Sequence, residues 1–128
     1  MQTAAEFFEE HMGYIRRGER NKMIEETFWP DAVLYHNFPF FPGEPPYAAR
    51  GHKEIMETED IIFAPENQGA VTVGEPFNLV AEGDFIGHQI FVTSPNTGKW
   101  VITDVFVLRD GKVQTYYAMG YVIEPPKK

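Results

Sequence analysis

One carboxylate stands inside an otherwise apolar run near the carboxyl end of this 128-residue chain. The run is Trp100-Val-Ile-Thr-Asp104-Val-Phe-Val-Leu108, and an Asp-Gly turn follows it. With the two-residue period of a strand, Asp104 shares a face with Ile102 and Phe106, and both faces are apolar, so we expect both to be covered. Because burial of an unpaired carboxylate is costly, Asp104 is predicted to be paired, hydrogen-bonded or shifted in pKa. Proton carriers in catalysis often share these properties, although a buried acid bonded to backbone or tyrosine has them too.

His36 is the first candidate partner for Asp104. It closes the predicted strand Ala32–His36, and its imidazole, with an unperturbed pKa of about 6.5, can take or give a proton near neutral pH. A pair of His36 and Asp104 would form an acid–base dyad. The alternative is a surface histidine at a strand end before a proline-rich loop, and the sequence leaves both interpretations open.

Further donors could come from the strand around His88 and from the first helix. His88 alternates with Ile90 and Val92, which favours an inward side chain, but the opposite strand phase would turn it outward. His11 and Tyr14 lie three residues apart and so share one side of their helix. We interpret His11 as a boundary residue, whereas Tyr14 could offer a phenol to a pocket.

Tyr116 is a candidate hydroxyl donor after the last hairpin. It alternates with Ala118 and Gly120, whose small size would leave room for a ligand beside the phenol. In the opposite phase Tyr117 and Tyr121 would fill the core instead, and the sequence does not decide between the two phases.

The amino-acid composition limits the kinds of molecule that this protein is expected to bind. A net charge of −8 argues against nucleic acid, which requires clustered Lys and Arg, and does not favour acidic substrates. The chain has no cysteine, and it has no His-x-His, zinc-protease or phosphate-loop motif, so we expect no metal and no cofactor. The N-terminus lacks a signal-peptide pattern, and no apolar run approaches membrane-spanning length. We therefore expect a cytoplasmic protein that binds no membrane.

The elements that would position these residues form one predicted α+β domain over residues 1–128. Thr3 and Glu6 have the spacing of a capping box for a first helix, a second helix covers about Glu19–Phe28, and a third runs from Gly51 to about Phe63. From Ala70 onward the pattern is that of strands. Turn signals separate these strands at residues 81–84, 94–98 and 109–112. The helices are expected to cover one face of the sheet.

Two surface features carry expectations of their own. The segment 38–47 contains four prolines and is apolar, so we expect an irregular loop that packs over a pocket and excludes water. Its aromatic side chains are Phe38, Phe40, Phe41 and Tyr47. The third helix carries an acidic run that we interpret as a solvated face, namely Glu54, Glu57, Glu59 and Asp60.

Several of these patterns, in this order, resemble the SnoaL-like branch of the NTF2-like superfamily, which includes polyketide cyclases, ketosteroid isomerases and scytalone dehydratase. The pieces that carry the resemblance are Arg16-Arg-Gly-Glu19, Phe28-Trp-Pro-Asp-Ala-Val-Leu-Tyr-His36, Arg50-Gly-His-Lys-Glu-Ile55 and Thr103-Asp-Val-Phe-Val-Leu-Arg-Asp-Gly-Lys-Val113. The resemblance implies an NTF2-like (cystatin-like) cone, in which a curved mixed or antiparallel sheet wraps around N-terminal helices and encloses one deep apolar pocket. It also implies a homodimer packed through the outer sheet face.

The resemblance implies roles for individual residues. Asp104 falls where ketosteroid isomerases keep a protonated aspartic acid that stabilises an oxyanion. His36 falls where those enzymes keep a general-base aspartate, so this chain departs from the steroid pattern. His11 occupies the place of an oxyanion-hole tyrosine. The strand around His88 resembles the one that carries a catalytic histidine in scytalone dehydratase.

These observations predict a cofactor-independent enzyme that acts on a small hydrophobic cyclic or polyketide-like carbonyl compound by general acid–base proton transfer. The outcome would be isomerisation, cyclisation or dehydration. His36 would serve as base and Asp104 as its partner or as a neutral donor. The expected oxyanion donors or proton returners are His88, Tyr14 and Tyr116. The residues expected to bind substrate are His11, Phe38, Phe40, Phe41, Tyr47, Trp100, Phe106, Ala118 and Gly120.

The main alternative is a non-catalytic protein of the same fold that binds an apolar ligand or dimerises, with its polar residues merely hydrogen-bonded inside. Epoxide hydrolysis ranks lower, because relatives with that activity use an Asp, Arg, Asp set and no inward arginine is evident in this sequence.

The apolar outer face of the Asp104 strand predicts a homodimer. Its members are Val101, Thr103, Val105 and Val107. Burial of such a face against a second copy removes apolar area from water and so stabilises the dimer. Light scattering is expected to give twice the mass of one chain, and a clean monomer would contradict this prediction.

Overall fold

The computed structural model describes residues 2–127, which form four helices and seven strands. In chain order the elements are α1 Ala4–Arg16, α2 Arg20–Thr27, β1 Phe28–His36, β2 Tyr47–Arg50, α3 Gly51–Ile62, α4 Pro65–Gln68, β3 Thr72–Val73, β4 Phe77–Glu82, β5 Phe85–Ser94, β6 Gly98–Arg109 and β7 Lys112–Glu124. Within these residues no helix is both long and apolar enough to cross a membrane.

The predicted helix signals correspond to real helix ends. The Thr3 side chain accepts a hydrogen bond from the Glu6 backbone N–H at 3.1 Å, and the Glu6 carboxylate accepts one from the Thr3 N–H at 3.0 Å. The predicted capping box is thereby confirmed. The second helix is one residue shorter at each end than predicted. Glu19 is its non-helical N-cap residue, and Phe28 already has the extended backbone of β1.

The seven strands form one curved, unclosed mixed sheet with the order β2-β1-β7-β6-β5-β3, and β4 also pairs with β5. Only the β1–β7 pair is parallel among the described strands. Phe7 of α1 contacts Phe106 of β6, and Phe8 contacts His88 of β5, so the first helix packs on the inner face of the sheet. The architecture is the predicted α+β arrangement.

Strand pairing settles which side chains face inward. On β6, Trp100 and Phe106 are buried on the same face as Asp104, as predicted. Because β5 and β6 pair with His88 opposite Asp104, His88 takes the inward phase and is 4% exposed. On β7, Tyr116 takes the same side as the buried Ala118.

The outer face of β6 is only partly covered within one chain. Val101, Thr103 and Val105 are half-buried, and Val107 is exposed. Other exposed large apolar side chains of the sheet are Val73, Leu79, Val80, Phe85, Phe91, Tyr117, Tyr121, Val122 and Ile123. A single chain therefore leaves the outer face of β6 partly exposed. That a second copy of the chain buries this face remains a prediction.

The start of β6 offers a test of the packing at the sheet end. Gly98 has φ +98°, and a Cβ atom there would overlap the carbonyl oxygen of Glu124 at the end of β7. Gly98→Ala is therefore expected to lower the free energy of unfolding by about 3 kcal/mol or more, measured by chemical denaturation. The matched control is Gly83→Ala, at φ +58° with no atom within 4 Å of the new Cβ, where backbone strain alone costs about 1 kcal/mol. Equal losses in the two variants would contradict the close contact.

Candidate acid–base site in an apolar cavity

A cavity of about 160 Å³ lies between the helices and the inner face of the sheet. Cavities of about this size in protein cores hold benzene-sized ligands. Its apolar wall comprises Met12, Ile15, Met23, Leu34, Phe38, Ile62, Phe63, Val71, Val73, Ile90, Val92, Ile102 and Ala118. Its polar side chains are His11, Arg20, Glu59, His88, Asp104 and Tyr116.

Asp104 is the centre of the polar group on the sheet. The Tyr116 hydroxyl donates a hydrogen bond to Asp104 Oδ1 at 3.1 Å, and His88 Nε2 lies 3.5 Å from Oδ2, which is longer than an ordinary hydrogen bond. Burial raises the pKa of Asp104 to about 7; the hydrogen bond from Tyr116 opposes this rise, and the negative charge of Glu59 adds to it. Near neutral pH the carboxyl group therefore exists in both forms, as a proton-transfer group requires.

The two cavity histidines are uncharged at neutral pH. Burial lowers the pKa of His11 to about 3, with a smaller contribution from nearby His88, and burial also lowers the pKa of His88. Neither ring nitrogen of His88, nor Nδ1 of His11, has a hydrogen-bond partner among the described residues. A neutral imidazole has one donor and one acceptor nitrogen, so both rings can bind a polar group of a ligand.

Tyr116 is positioned by stacking and remains protonated. Its ring stacks on Phe106 with centroids 4.4 Å apart, and Phe28 meets it edge-on at 6.1 Å. Burial raises the pKa of the Tyr116 phenol well above 10, and the charge of Asp104 raises it further. The hydroxyl is therefore a permanent hydrogen-bond donor to Asp104.

Glu59 and Arg20 form a second polar pair that the sequence analysis missed. Glu59 was expected on a solvated face, but it is 7% exposed and lines the cavity. Arg20 Nε lies 3.5 Å from Glu59 Oε2. Burial raises the pKa of Glu59, while the charge of Arg20 lowers it. The helical spacing indicates that Glu59 is buried, because Ile55, Glu59 and Ile62 lie at positions i, i+4 and i+7 of α3 and so share its buried side.

His36 does not form the expected pair with Asp104. It is buried, but its Nδ1 accepts a hydrogen bond from the Phe38 N–H at 3.2 Å, and it does not line the cavity. His36 pairs with Ala118 on β7, and Ala118 pairs with Asp104 on β6, so two strand spacings of roughly 5 Å each separate the histidine from the acid. Burial lowers the pKa of His36 to about 4. The structure places His88, rather than His36, beside Asp104.

Tyr14 also lies outside the cavity, which corrects its expected role. Its hydroxyl donates a hydrogen bond to Glu26, and Arg17 lies over its ring at 4.9 Å. The bond to Glu26 raises the pKa of Tyr14 to about 12, with a further contribution from burial. The phenol is thus engaged away from the cavity.

The loop expected to close the cavity packs elsewhere. Of the four aromatic side chains of this loop, only Phe38 lines the cavity. Phe41 and Tyr47 pack on His36, with ring centroids 4.6 and 5.3 Å from that of the imidazole. Phe40 packs against the core without lining the cavity. The Tyr47 hydroxyl lies 3.3 Å from the Phe41 carbonyl oxygen and 3.1 Å from that of Gly43, so it ties the loop to itself.

The cavity rim lies between the helices and the segment after α3. On the helices and the segment after α3, the lining residues with partial or full exposure are Ile15, Arg20, Phe63, Val71 and Val73. On the sheet, the partly exposed lining residues are Asp104 and Tyr116.

Two expected ligand contacts on β6 and one on β7 belong to the core behind the cavity. Trp100 donates from Nε1 to Thr97 Oγ1 at 2.8 Å, and its ring fills the space beside Gly120, where a Cβ would lie 2.9 Å away. Gly120 therefore makes room for Trp100 rather than for a ligand. The Phe106 ring packs against the rings of His11 and Tyr116 on the core side.

Among the described residues, no group of three or more metal-binding side chains could hold a metal ion.

Comparison with solved structures identifies the fold. An NTF2-like protein of unknown function from Burkholderia pseudomallei aligns with a TM-score of 0.70 and 16% identity over 92% of this chain and 90% of that chain. IdmH from Streptomyces antibioticus, a proposed polyketide cyclase, aligns at 0.69 and 15% over 93% and 92%. A proposed isomerase from Bacillus subtilis aligns at 0.59 and 20% over 92% and 86%. The chain has the NTF2-like fold, and the resemblance expected from the sequence is confirmed at that level.

No protein-family model and no curated relative matches the sequence. The likeness to solved structures therefore identifies the architecture, and the chemistry has to be argued from the site itself.

The raised pKa of Asp104 predicts a pH-dependent cost of folding. Its carboxyl group ionises near pH 3.8 when unperturbed but at about 7 when folded, so the folded state holds the proton more tightly. Its contribution to stability is therefore largest below about pH 4 and is lost as the pH rises to about 7. The side chain introduced by Asp104→Asn cannot ionise, so the stability of this variant lacks that pH dependence. Between about pH 4 and 7, the free energy of unfolding of the variant minus that of wild type should therefore rise by on the order of a few kcal/mol.

Chemical denaturation at a series of pH values measures this difference. Asp110→Asn, in an exposed turn, is the matched control and should show a difference that does not change with pH. A pH-independent difference for Asp104→Asn as well would contradict the raised pKa.

Proposed function

We propose that this protein is a cofactor-independent enzyme that transfers a proton on a small apolar carbonyl compound and so isomerises, cyclises or dehydrates it. The observation that supports this most is the position of Asp104: a carboxyl group that is only 13% exposed, with a pKa of about 7, on the wall of an apolar cavity beside Tyr116 and His88. Perturbed acids in apolar cavities are typical of acid–base sites.

In the proposed reaction, ionised Asp104 removes a proton from the carbon next to the substrate carbonyl. The C–H bond breaks, its electrons form the enolate, and the proton stays on Asp104. The neutral N–H groups of His88 and His11 are available to the enolate oxygen, since these side chains line the same cavity. Return of the proton from Asp104 to a different carbon completes an isomerisation. In a cyclisation, the enolate carbon attacks a second carbonyl group, whose C=O π bond breaks, and the resulting alkoxide takes the proton from Asp104. In a dehydration, the enolate expels a hydroxyl group from the β-carbon, and the proton from Asp104 leaves with it as water.

The apolar wall contributes to this chemistry in two ways. It excludes water, which strengthens hydrogen bonds to the developing negative charge. It also desolvates Asp104, which is the main cause of its raised pKa. The cavity of about 160 Å³ favours a substrate with a single ring over a steroid-sized one.

The structural neighbours support the same class of reaction. Two of them, from Streptomyces antibioticus and Bacillus subtilis, are described as a proposed polyketide cyclase and a proposed isomerase.

Exchange of carbon-bound protons tests the proposal without knowledge of the natural substrate. Cyclohexanone, a single-ring enolisable ketone, is incubated with the protein in D₂O, and loss of the protons next to its carbonyl is followed by NMR. Wild type should accelerate this exchange, and Asp104→Asn should lower the enzymatic rate by about 100-fold or more. Because the ionised form of Asp104 is the base, the rate should rise with pH and level off above about pH 7.

Asp110→Asn is again the matched control, because it makes the same chemical change in an exposed turn and should leave exchange unchanged. Binding of cyclohexanone with no exchange above the buffer rate would contradict the enzyme and support the binding protein. Full exchange in Asp104→Asn would contradict the role of this acid.

A further inference from the structure

Five of the six polar side chains of the cavity form two sets that come from different parts of the fold, and the sixth, His11, lies on α1. Asp104, His88 and Tyr116 come from the sheet, whereas Arg20 and Glu59 come from α2 and α3. We propose that Arg20 binds a carboxylate of the ligand, so that the substrates are small apolar acids that also carry a carbonyl group. The inference that the ligand carries a carboxylate depends on Arg20 alone, whereas the inference that it carries a carbonyl group rests on the proposed function.

Arg20 is held at the rim but makes few polar contacts with the protein. Its guanidinium carbon lies 4.3 Å from the centre of the Phe63 ring, which fixes the plane of the group. Its ion pair with Glu59 joins Nε to Oε2 at 3.5 Å, longer than the roughly 2.7–2.9 Å of a charge-assisted hydrogen bond. Over residues 2–127, Arg20 donates no side-chain hydrogen bond to a protein acceptor.

The chemistry of the guanidinium group favours a carboxylate as the ligand. Its planar fork of N–H donors matches the two oxygens of a carboxylate, and such paired bonds are among the strongest in proteins. Arg20 is also the first residue of α2. The N-cap residue Glu19 makes no capping hydrogen bond, and its carboxylate pairs with Arg17 and Lys22 rather than with Arg20.

The local charge differs from the charge of the whole chain. The net charge of −8 over the whole chain does not favour acidic substrates. Arg20 is the one Lys or Arg among the described residues that line the cavity, and its side chain is only 32% exposed. Attraction between charges at such a partly buried position is screened less than at a fully exposed one. In the absence of Arg20, the carboxylates of Glu59 and Asp104 would repel an anionic ligand. Arg20 would therefore determine whether the cavity accepts an anionic ligand.

The test compares two probes of the same shape, benzoate and benzamide, whose affinities are measured by NMR titration at neutral pH and low salt. Wild type should bind benzoate at least about tenfold more tightly than benzamide. Arg20→Gln should bring this ratio close to one. Arg16→Gln, an exposed site outside the cavity, changes the net charge equally and should keep the preference.

A second variant covers the case in which Arg20→Gln does not fold. Arg20→Gln alone leaves Glu59 buried without its cation, so the double variant Arg20→Gln/Glu59→Gln removes both charges. It should show no preference for benzoate. Equal affinity of wild type for the two probes, or a preference for benzoate that survives in the double variant, would overturn the inference.

Asp104→Asn separates this inference from the proposed function. The variant should lose ketone exchange but keep the preference for benzoate. A preference for benzoate in a wild type that exchanges no ketone protons would support Arg20 as a carboxylate site while contradicting the proposed enzyme.

Discussion

The structure depends on one constraint, the presence of an ionisable side chain in the inner row of an apolar strand. Desolvation makes a charged Asp104 costly, so its pKa rises to about 7 and its surroundings supply groups that suit either protonation state. Tyr116 donates one hydrogen bond, His88 stays neutral nearby, and Ala118 on the neighbouring strand is too small to fill the space. The core is filled around Phe7 and Phe106, which are fully buried with ring centroids 6.4 Å apart, whereas a cavity remains where Asp104 stands.

The parts of the fold that are decided locally could be predicted from the sequence. The Thr3–Glu6 capping box and the three hairpin turns depend on residues close together in the chain. The phases of β5 and β7 could not be predicted, because both faces of these strands carry apolar or aromatic residues. Their phases follow from the register with β6, in which His88 and Ala118 both lie opposite Asp104.

The choice between His36 and His88 shows the same limit at the site. Either residue suits a dyad with Asp104 chemically, and only the strand order β1-β7-β6-β5 makes His88 the neighbour. Glu59 was obscured for a different reason, since it stands in an acidic run whose other members Glu54, Glu57 and Asp60 are exposed. The inward position of Arg20 depends on how α2 packs beside α3, which no local pattern specifies.

The two polar sets of the cavity stand on different parts of the molecule. Asp104, His88 and Tyr116 are fixed to one another by hydrogen-bonded strands, whereas Arg20 and Glu59 are carried by helices that are joined to the sheet through side-chain packing. Core substitutions beneath α2 or α3 could therefore change the separation between the sets by reseating a helix, while the sheet residues kept their mutual geometry. The distance that a molecule in the cavity would have to span can therefore change over evolution while the geometry of Asp104, His88 and Tyr116 stays the same.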